Sequence, residues 1–126
     1  MKKLFTILFC CLVLFGCKKN PFDYRTKYLG NYRFLIHEVD WWAGGGHLDT
    51  TYYADGGIDY GYDKNTIAIH WSGLNSAVDP DLFEDASFKG MGASGDFWST
   101  KKVVFEFITG RISYTNTYYI TGEKTK

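Results

Sequence analysis

Tyr32-Arg33-Phe34-Leu35-Ile36-His37 reads with period two. Tyr32, Phe34 and Ile36 fall on one aromatic face, and Arg33, Leu35 and His37 on a mixed one, the pattern of a half-buried β-strand. Gly44-Gly45-Gly46 then interrupts, and Leu48 to Tyr53 resumes as a Thr/Tyr-rich strand. Asp55-Gly56-Gly57 is a turn or bulge signal, followed by Ile58, Tyr60 and Tyr62 in alternation. Asp63-Lys64-Asn65 makes the next turn, and Thr66 to Trp71 the next strand. Ser72 to Asp85 has few apolar residues and reads as a long loop, with at most one helical turn around Pro80 to Asp85 capped by Asp79. Strands return over Ala86–Lys89, Gly95–Ser99, Lys102–Thr109 and Tyr114–Gly122.

Seven or eight short strands with short connections define an all-β domain. The expected fold is an antiparallel meander closed into a small barrel, with a β-sandwich as the alternative. The chain carries 24 aromatic residues (four Trp, ten Tyr, ten Phe). Strand propensity and half-buried packing account for most of them, since tyrosine suits a surface with one wet edge. An aromatic-lined cavity or groove is the functional alternative.

The N-terminus has a different character. Lys2 and Lys3 lead an apolar run from Leu4 to Phe15, which Gly16-Cys17 closes. At 1.5 Å per residue that run spans only about 18 Å as a helix, against a hydrocarbon core of about 30 Å. It therefore reads as a signal peptide over residues 1–16, cleaved before Cys17, and not as a permanent membrane span. Leu14-Phe15-Gly16-Cys17 resembles the lipobox of bacterial lipoproteins, which implies a lipid (palmitate among its acyl chains) on Cys17. Lys18, in place of an acidic residue, implies the outer membrane, facing either the periplasm or the exterior. Residues 17–27 read as the lipidated cysteine and a polar tether, and 28–126 as one barrel-like domain.

All three cysteines, Cys10, Cys11 and Cys17, lie in the signal or at its end. The domain behind them has no disulfide and no thiolate metal site. Removing residues 1–16 leaves 110 of the 126, enough to bury a core. Without Lys2 and Lys3 the balance is 12 basic against 14 acidic side chains, a formal −2 that gives nucleic acid no electrostatic footprint.

Lys27-Tyr28-Leu29-Gly30-Asn31-Tyr32-Arg33-Phe34, with Gly57-Ile58-Asp59-Tyr60-Gly61-Tyr62 and the closing Tyr118-Tyr119-Ile120-Thr121-Gly122-Glu123-Lys124, resembles a set of small lipocalin-like lipoproteins of Gram-negative bacteria. Those open with a Tyr-x-Gly-x-Tyr/Trp motif. The resemblance implies a barrel and supplies no catalytic residues. Lipocalins proper carry Gly-x-Trp, where this chain has Gly30-x-Tyr32.

The candidate sites each have a plainer reading beside them. His37, His47 and His70, with Glu38, Asp40 or Asp49, contain metal-ligand types, but their spacing matches no metal motif, and three independent rim histidines are expected. Asp79, Asp81, Glu84 and Asp85 lack the spacing and glycine of an EF-hand loop. Glu38, Glu84 and Glu106 could pair with aspartates as in a glycosidase, as could such residues in any domain. Ser72-Gly73 and Ser94-Gly95 are not nucleophile elbows, and Gly44-Gly45-Gly46 opens no helix and cradles no phosphate. Asp49-Thr50-Thr51 is a short match to an O-glycosylation site. No enzyme, cofactor or metal is expected.

Trp41-Trp42-Ala43-Gly44-Gly45-Gly46 is the most distinctive segment. Strand alternation from Tyr32, Phe34 and Ile36 puts Trp42 on the core face and Trp41 outside. Two functions compete. The first is a small-molecule or glycan binder using the barrel mouth, with Trp41, Trp42, Tyr52, Tyr53, Trp71 and Trp98 as contacts. The second is a protein-interaction or envelope-assembly lipoprotein using a sheet edge or the Trp41–Gly46 loop. An enclosed aromatic cavity would favour the first, and a filled barrel with an exposed apolar patch the second.

Overall fold

A computed structural model describes residues 23–125, so Cys17 and the signal segment lie outside the described residues. Eight strands follow one another: β1 (Gly30–Trp42), β2 (Gly46–Tyr60), β3 (Ile67–Trp71), β4 (Asp81–Leu82), β5 (Ser87–Gly90), β6 (Ala93–Ser99), β7 (Lys102–Arg111) and β8 (Tyr114–Lys124). Every named pairing is antiparallel, in the order β3-β2-β1-β8-β7-β6-β5-β4. First and last strands pair, so the meander curls into a nearly closed barrel with one unsealed seam between β3 and β4. Separate contacts cross that seam: Ile69 N–H donates to the Val78 carbonyl at 2.8 Å, and Ile67 N–H to that of Pro80 at 3.1 Å.

The alternation read from the sequence drives the packing. Tyr32, Phe34 and Ile36 are all buried, and their β2 partners are Gly56, Ala54 and Tyr52. Phe88, Phe97, Val103, Phe105, Phe107, Ile120 and Trp71 fill the rest of the interior. The Trp71 ring lies 5.9 Å from Phe107 and 6.2 Å from Phe34, edge-on to each as aromatic quadrupoles prefer. The barrel is packed with side chains along this length.

Three expectations are corrected. Asp55-Gly56-Gly57 is not a turn: β2 runs straight through it, with no register shift against β1. Glycine serves close approach here, since a Cβ on Gly56 would fall 2.0 Å from the His70 carbonyl and 2.7 Å from Trp71 Cα. β3 is thereby drawn over the inward face of β2 at a barrel corner. The alternation ends at Ile58: Tyr60, the last residue of β2, is exposed, and Tyr62 stands exposed in the turn. Pro80–Asp85 forms no helical turn: Asp81–Leu82 is extended as β4, buries Leu82, and turns only at Glu84–Asp85. The apolar demand of Leu82 against Phe88, its β5 partner, prevails over the capping potential of Asp79.

Residues 24–27, read above as part of a polar tether, pack against the barrel. Tyr24 donates its hydroxyl to the Leu82 carbonyl at 2.7 Å, Arg25 is buried, and Thr26–Tyr28 form one 3-10 turn. Tyr28 stacks on Phe97 with ring centroids 4.1 Å apart and accepts the Tyr32 hydroxyl at its carbonyl, 2.6 Å away. Burial pushes the Tyr32 phenol up to about 12. The Tyr28-x-Gly30-x-Tyr32 motif thus closes the base of the barrel.

Candidate functional site

The core stops before the strands do. β1 has 13 residues and β2 has 15, yet full burial along β1 ends at Ile36. At about 3.3 Å per residue, the six residues beyond Ile36 carry the sheet roughly 20 Å past its packed interior. β8 and β7 accompany it, Trp42 lying opposite both Gly46 and Tyr114, and Ala43 N–H binding the Ser113 carbonyl at 2.9 Å. Two hairpin tips therefore sit side by side at the end away from Arg25 and Tyr28.

On this extension the inward phase of β1 continues as Glu38, Asp40 and Trp42. Register sets Glu38 between Thr50 and Tyr118, and Asp40 between Leu48 and Asn116. Tyr52 donates its hydroxyl to Glu38 Oε2 at 3.0 Å. Desolvation and the Glu38 carboxylate hold the Tyr52 phenol above its ordinary value. Tyr118 is raised chiefly by burial, with Glu38 and Asp40 adding to it. Asp40 is also raised, first by burial and then by the like charge and hydrogen bonding of Glu38. Its Oδ1 is occluded and has no hydrogen-bond partner among the described residues. The arrangement is a row of acceptors and phenols, two carboxylates deep, facing an open mouth. Of this row only Tyr118 also lines a cleft of about 380 Å³, which it shares with Leu74, Val78, Met91, Phe107 and Thr109.

The six aromatic residues expected to form a site do not converge. Trp42 and Tyr52 lie on the inward face of the extension. Trp42 is 43% exposed, which corrects its expected burial. The strand phase is right, but the core has ended, and the indole lies across Gly46, filling the space that a Cβ there would need. Trp41, 53% exposed, and Tyr53 face outward, where the Arg33 guanidinium sits 4.7 Å from the Tyr53 ring centroid. Trp71 is a core residue. Trp98 lies at the opposite end by the β6–β7 turn, with Lys102 Nζ 5.3 Å from its ring.

His37 pairs with Asp49 at 2.6 Å and His70 with Asp59 at 2.9 Å, on separate parts of the outer surface. Among the described residues no three His, Cys, Asp or Glu side chains converge on one point. Another cleft, of about 510 Å³, crosses the outer face over Leu35, His37, Glu106 and Tyr119. The residues that sequence reasoning underweighted are Tyr118, Asn116 and the Glu38–Asp40 pair. Their signal was present: a Glu-x-Asp continuing the core phase of Tyr32, Phe34 and Ile36 places two carboxylates where apolar side chains would otherwise point. Compared with known protein families, with curated proteins and with solved structures, the chain gives no match.

Proposed function

We propose that this chain is a lipid-anchored envelope protein, processed before Cys17 and held at the outer membrane, whose barrel binds a glycan or a similarly hydroxyl-rich small molecule at its open end. It binds without turning its ligand over. The observation that carries the binding half is the inward row Glu38, Asp40, Tyr52, Asn116 and Tyr118 beside the exposed face of Trp42. A sugar ring has C–H faces that pack on an aromatic plane and a rim of hydroxyls that donate to carboxylate and amide oxygens. The filled interior leaves no calyx and, by the cavity criterion, counts toward the second reading below. The glycan reading therefore rests on the inward polar row alone, with the ligand laid along the open end.

The test is a panel of neutral and amino-sugar oligosaccharides titrated onto the full chain in mild detergent. Saturable binding that is lost in Trp42→Ala and in Glu38→Gln supports the reading, and absence of binding across the panel rejects it. The anchor is tested separately, since acyl chains contribute about 0.8 kcal/mol per buried methylene. Cys17→Ser abolishes palmitate incorporation and membrane fractionation if Cys17 carries the lipid.

A second reading, docking of another envelope protein, has its own support. The interior is filled, and Leu35, Tyr53, Ile108 and Tyr119 stand exposed on the outer face of the same strands. Cross-linking of intact cells that captures one protein through Tyr119 or Leu35, with no glycan binding, would favour it.

A further inference from the structure

The charges of the domain nearly balance, yet they are sorted by end. Residues 38–53 and 106–119, which carry the mouth, hold four carboxylates (Glu38, Asp40, Asp49, Glu106) against one guanidinium, Arg111, and no lysine. At the opposite end Lys27, Lys101, Lys102 and Lys124 gather around the β6–β7 turn and the close of β8. Lys124 Nζ donates to the Lys27 carbonyl at 3.0 Å, and Lys124 N–H to the Lys101 carbonyl at 2.7 Å. Burial, and then the charge of Lys101, holds the Lys124 ammonium below its ordinary value. Glu123 stands opposite Lys102 and Arg33 in the register. Among the described residues, however, no carboxylate comes within ion-pair distance of any of the four lysines. Glu84 and Asp85 lie on the β4–β5 turn, so the basic surface is the side of the base built by the β6–β7 turn, β8 and the entering segment.

Trp98 stands among these lysines 67% exposed, although its neighbour Phe97 is buried against Tyr28. Lys102 Nζ lies over its ring. An indole ringed by lysines matches the headgroup level of a bilayer, where the ring meets the acyl boundary and the ammonium groups meet phosphates. We infer that this side of the base docks on the phosphate-bearing surface of the bilayer that holds the chain, through Lys27, Lys101, Lys102 and Lys124 with Trp98 at headgroup depth.

Two observations select the bilayer as the occupant. The first is reach. Cys17 is six residues before Asp23, which the chain spans in at most about 22 Å. Arg25 and Tyr28 then pin the entering segment to the base. A lipid on Cys17 therefore keeps this end near the membrane, while the mouth stands up to about 40 Å farther along β1. This part rests on the anchor reading above. The second is charge sorting, which acts with or without the anchor. An anionic surface attracts the lysines of the base and repels the carboxylates of the mouth, so the same field turns the mouth away from the lipid.

The test reconstitutes the full chain from detergent into vesicles of phosphatidylcholine, alone or mixed with phosphatidylglycerol, that carry a headgroup-depth spin-labelled lipid. The quenching lost in Trp98→Phe is the Trp98 signal. It is strong with phosphatidylglycerol and about tenfold weaker in phosphatidylcholine alone or at raised salt. Lys101→Glu/Lys102→Glu lowers it to the phosphatidylcholine level, and Lys101→Arg/Lys102→Arg retains it, with a β-type circular dichroism spectrum confirming that each variant folds. Flotation separates the two readings. A chain that floats only with phosphatidylglycerol vesicles rejects the anchor and supports the basic surface, and one that floats with neither rejects both. A Trp98 signal that is absent, equal in the two lipids or unchanged by the double charge reversal would overturn the inference. So would quenching that persists in Trp98→Phe and disappears in Trp41→Phe/Trp42→Phe, which would put the mouth against the bilayer.

Discussion

Arg25 Nη1 donates to the Thr66 carbonyl at 2.9 Å, across 41 residues of chain. The same guanidinium nitrogen reaches the Asp63 carbonyl at 2.9 Å, Nε and Nη2 hold the Asp23 carboxylate, and the plane lies 4.6 Å from the Tyr60 ring centroid. One side chain therefore latches the entering segment to the β2–β3 turn. The planar fork of arginine suits this arrangement, and the point charge of lysine does not reproduce it.

Arg25→Ala should cost about 3 kcal/mol, because two carbonyls and a carboxylate lose their buried partner. Arg25→Lys should recover only part of that. Arg25 holds the Asp23 carboxyl below its ordinary value. The Asp23 contribution is therefore complete above pH 3.8 and is lost as pH falls through the lower folded value. Melting temperatures measured from about pH 2 to pH 6 should show an acid slope that is shallower in Arg25→Ala.

Asp40 behaves in the opposite sense. Its folded value is raised by burial and by Glu38, so its unfavourable contribution appears as pH rises above 3.8. Asp40→Asn should stabilise the domain at pH 7 by a few tenths to about 1 kcal/mol, and this gain should vanish below pH 3.8. Equal melting temperatures for wild type and variant at both pH values would show that the Asp40 charge costs the fold nothing.

The tryptophans should separate sharply. Trp71→Ala opens the packed interior and should cost about 3–5 kcal/mol. Trp41→Ala and Trp42→Ala should each cost less than about 1 kcal/mol. Thermal unfolding of the three variants checks this, and a large loss on truncating Trp42 would mean that the core reaches the hairpin tips.

Gly56→Ala is the smallest change that tests the barrel corner. The added methyl meets main chain that has no rotamer to yield, and the cost should be roughly 2–3 kcal/mol. Circular dichroism melting reads it directly. No loss would imply that β3 stands farther from β2 than the structure places it.

Tyr32, Phe34 and Ile36 announced both the strand and its buried face, and the same alternation carried through Val103, Phe105 and Phe107 on β7. Local periodicity cannot report where a core ends, because Trp42 keeps the right phase three pairs beyond the last buried residue. Nor can it distinguish a glycine that turns the chain from one that admits a neighbouring strand, which is the difference at Gly56. Arg25 sat among charges that resembled a tether, and its partners at Asp63 and Thr66 are distant in sequence. The carboxylate pair was visible as residues, but the mouth it faces exists only once β7 and β8 are folded beside β1.

Recognition at the open end of the long strands is a proposal with a direct experimental reading. Backbone amide shifts of the isotopically labelled full chain in detergent, titrated with the oligosaccharide panel, test it most directly. Saturable shifts are expected only at Glu38–Trp42, Tyr52 and Asn116–Tyr118, with none at Trp98. Shifts centred on Trp98 and the base of the barrel, or no saturable shift with any member of the panel, would contradict it.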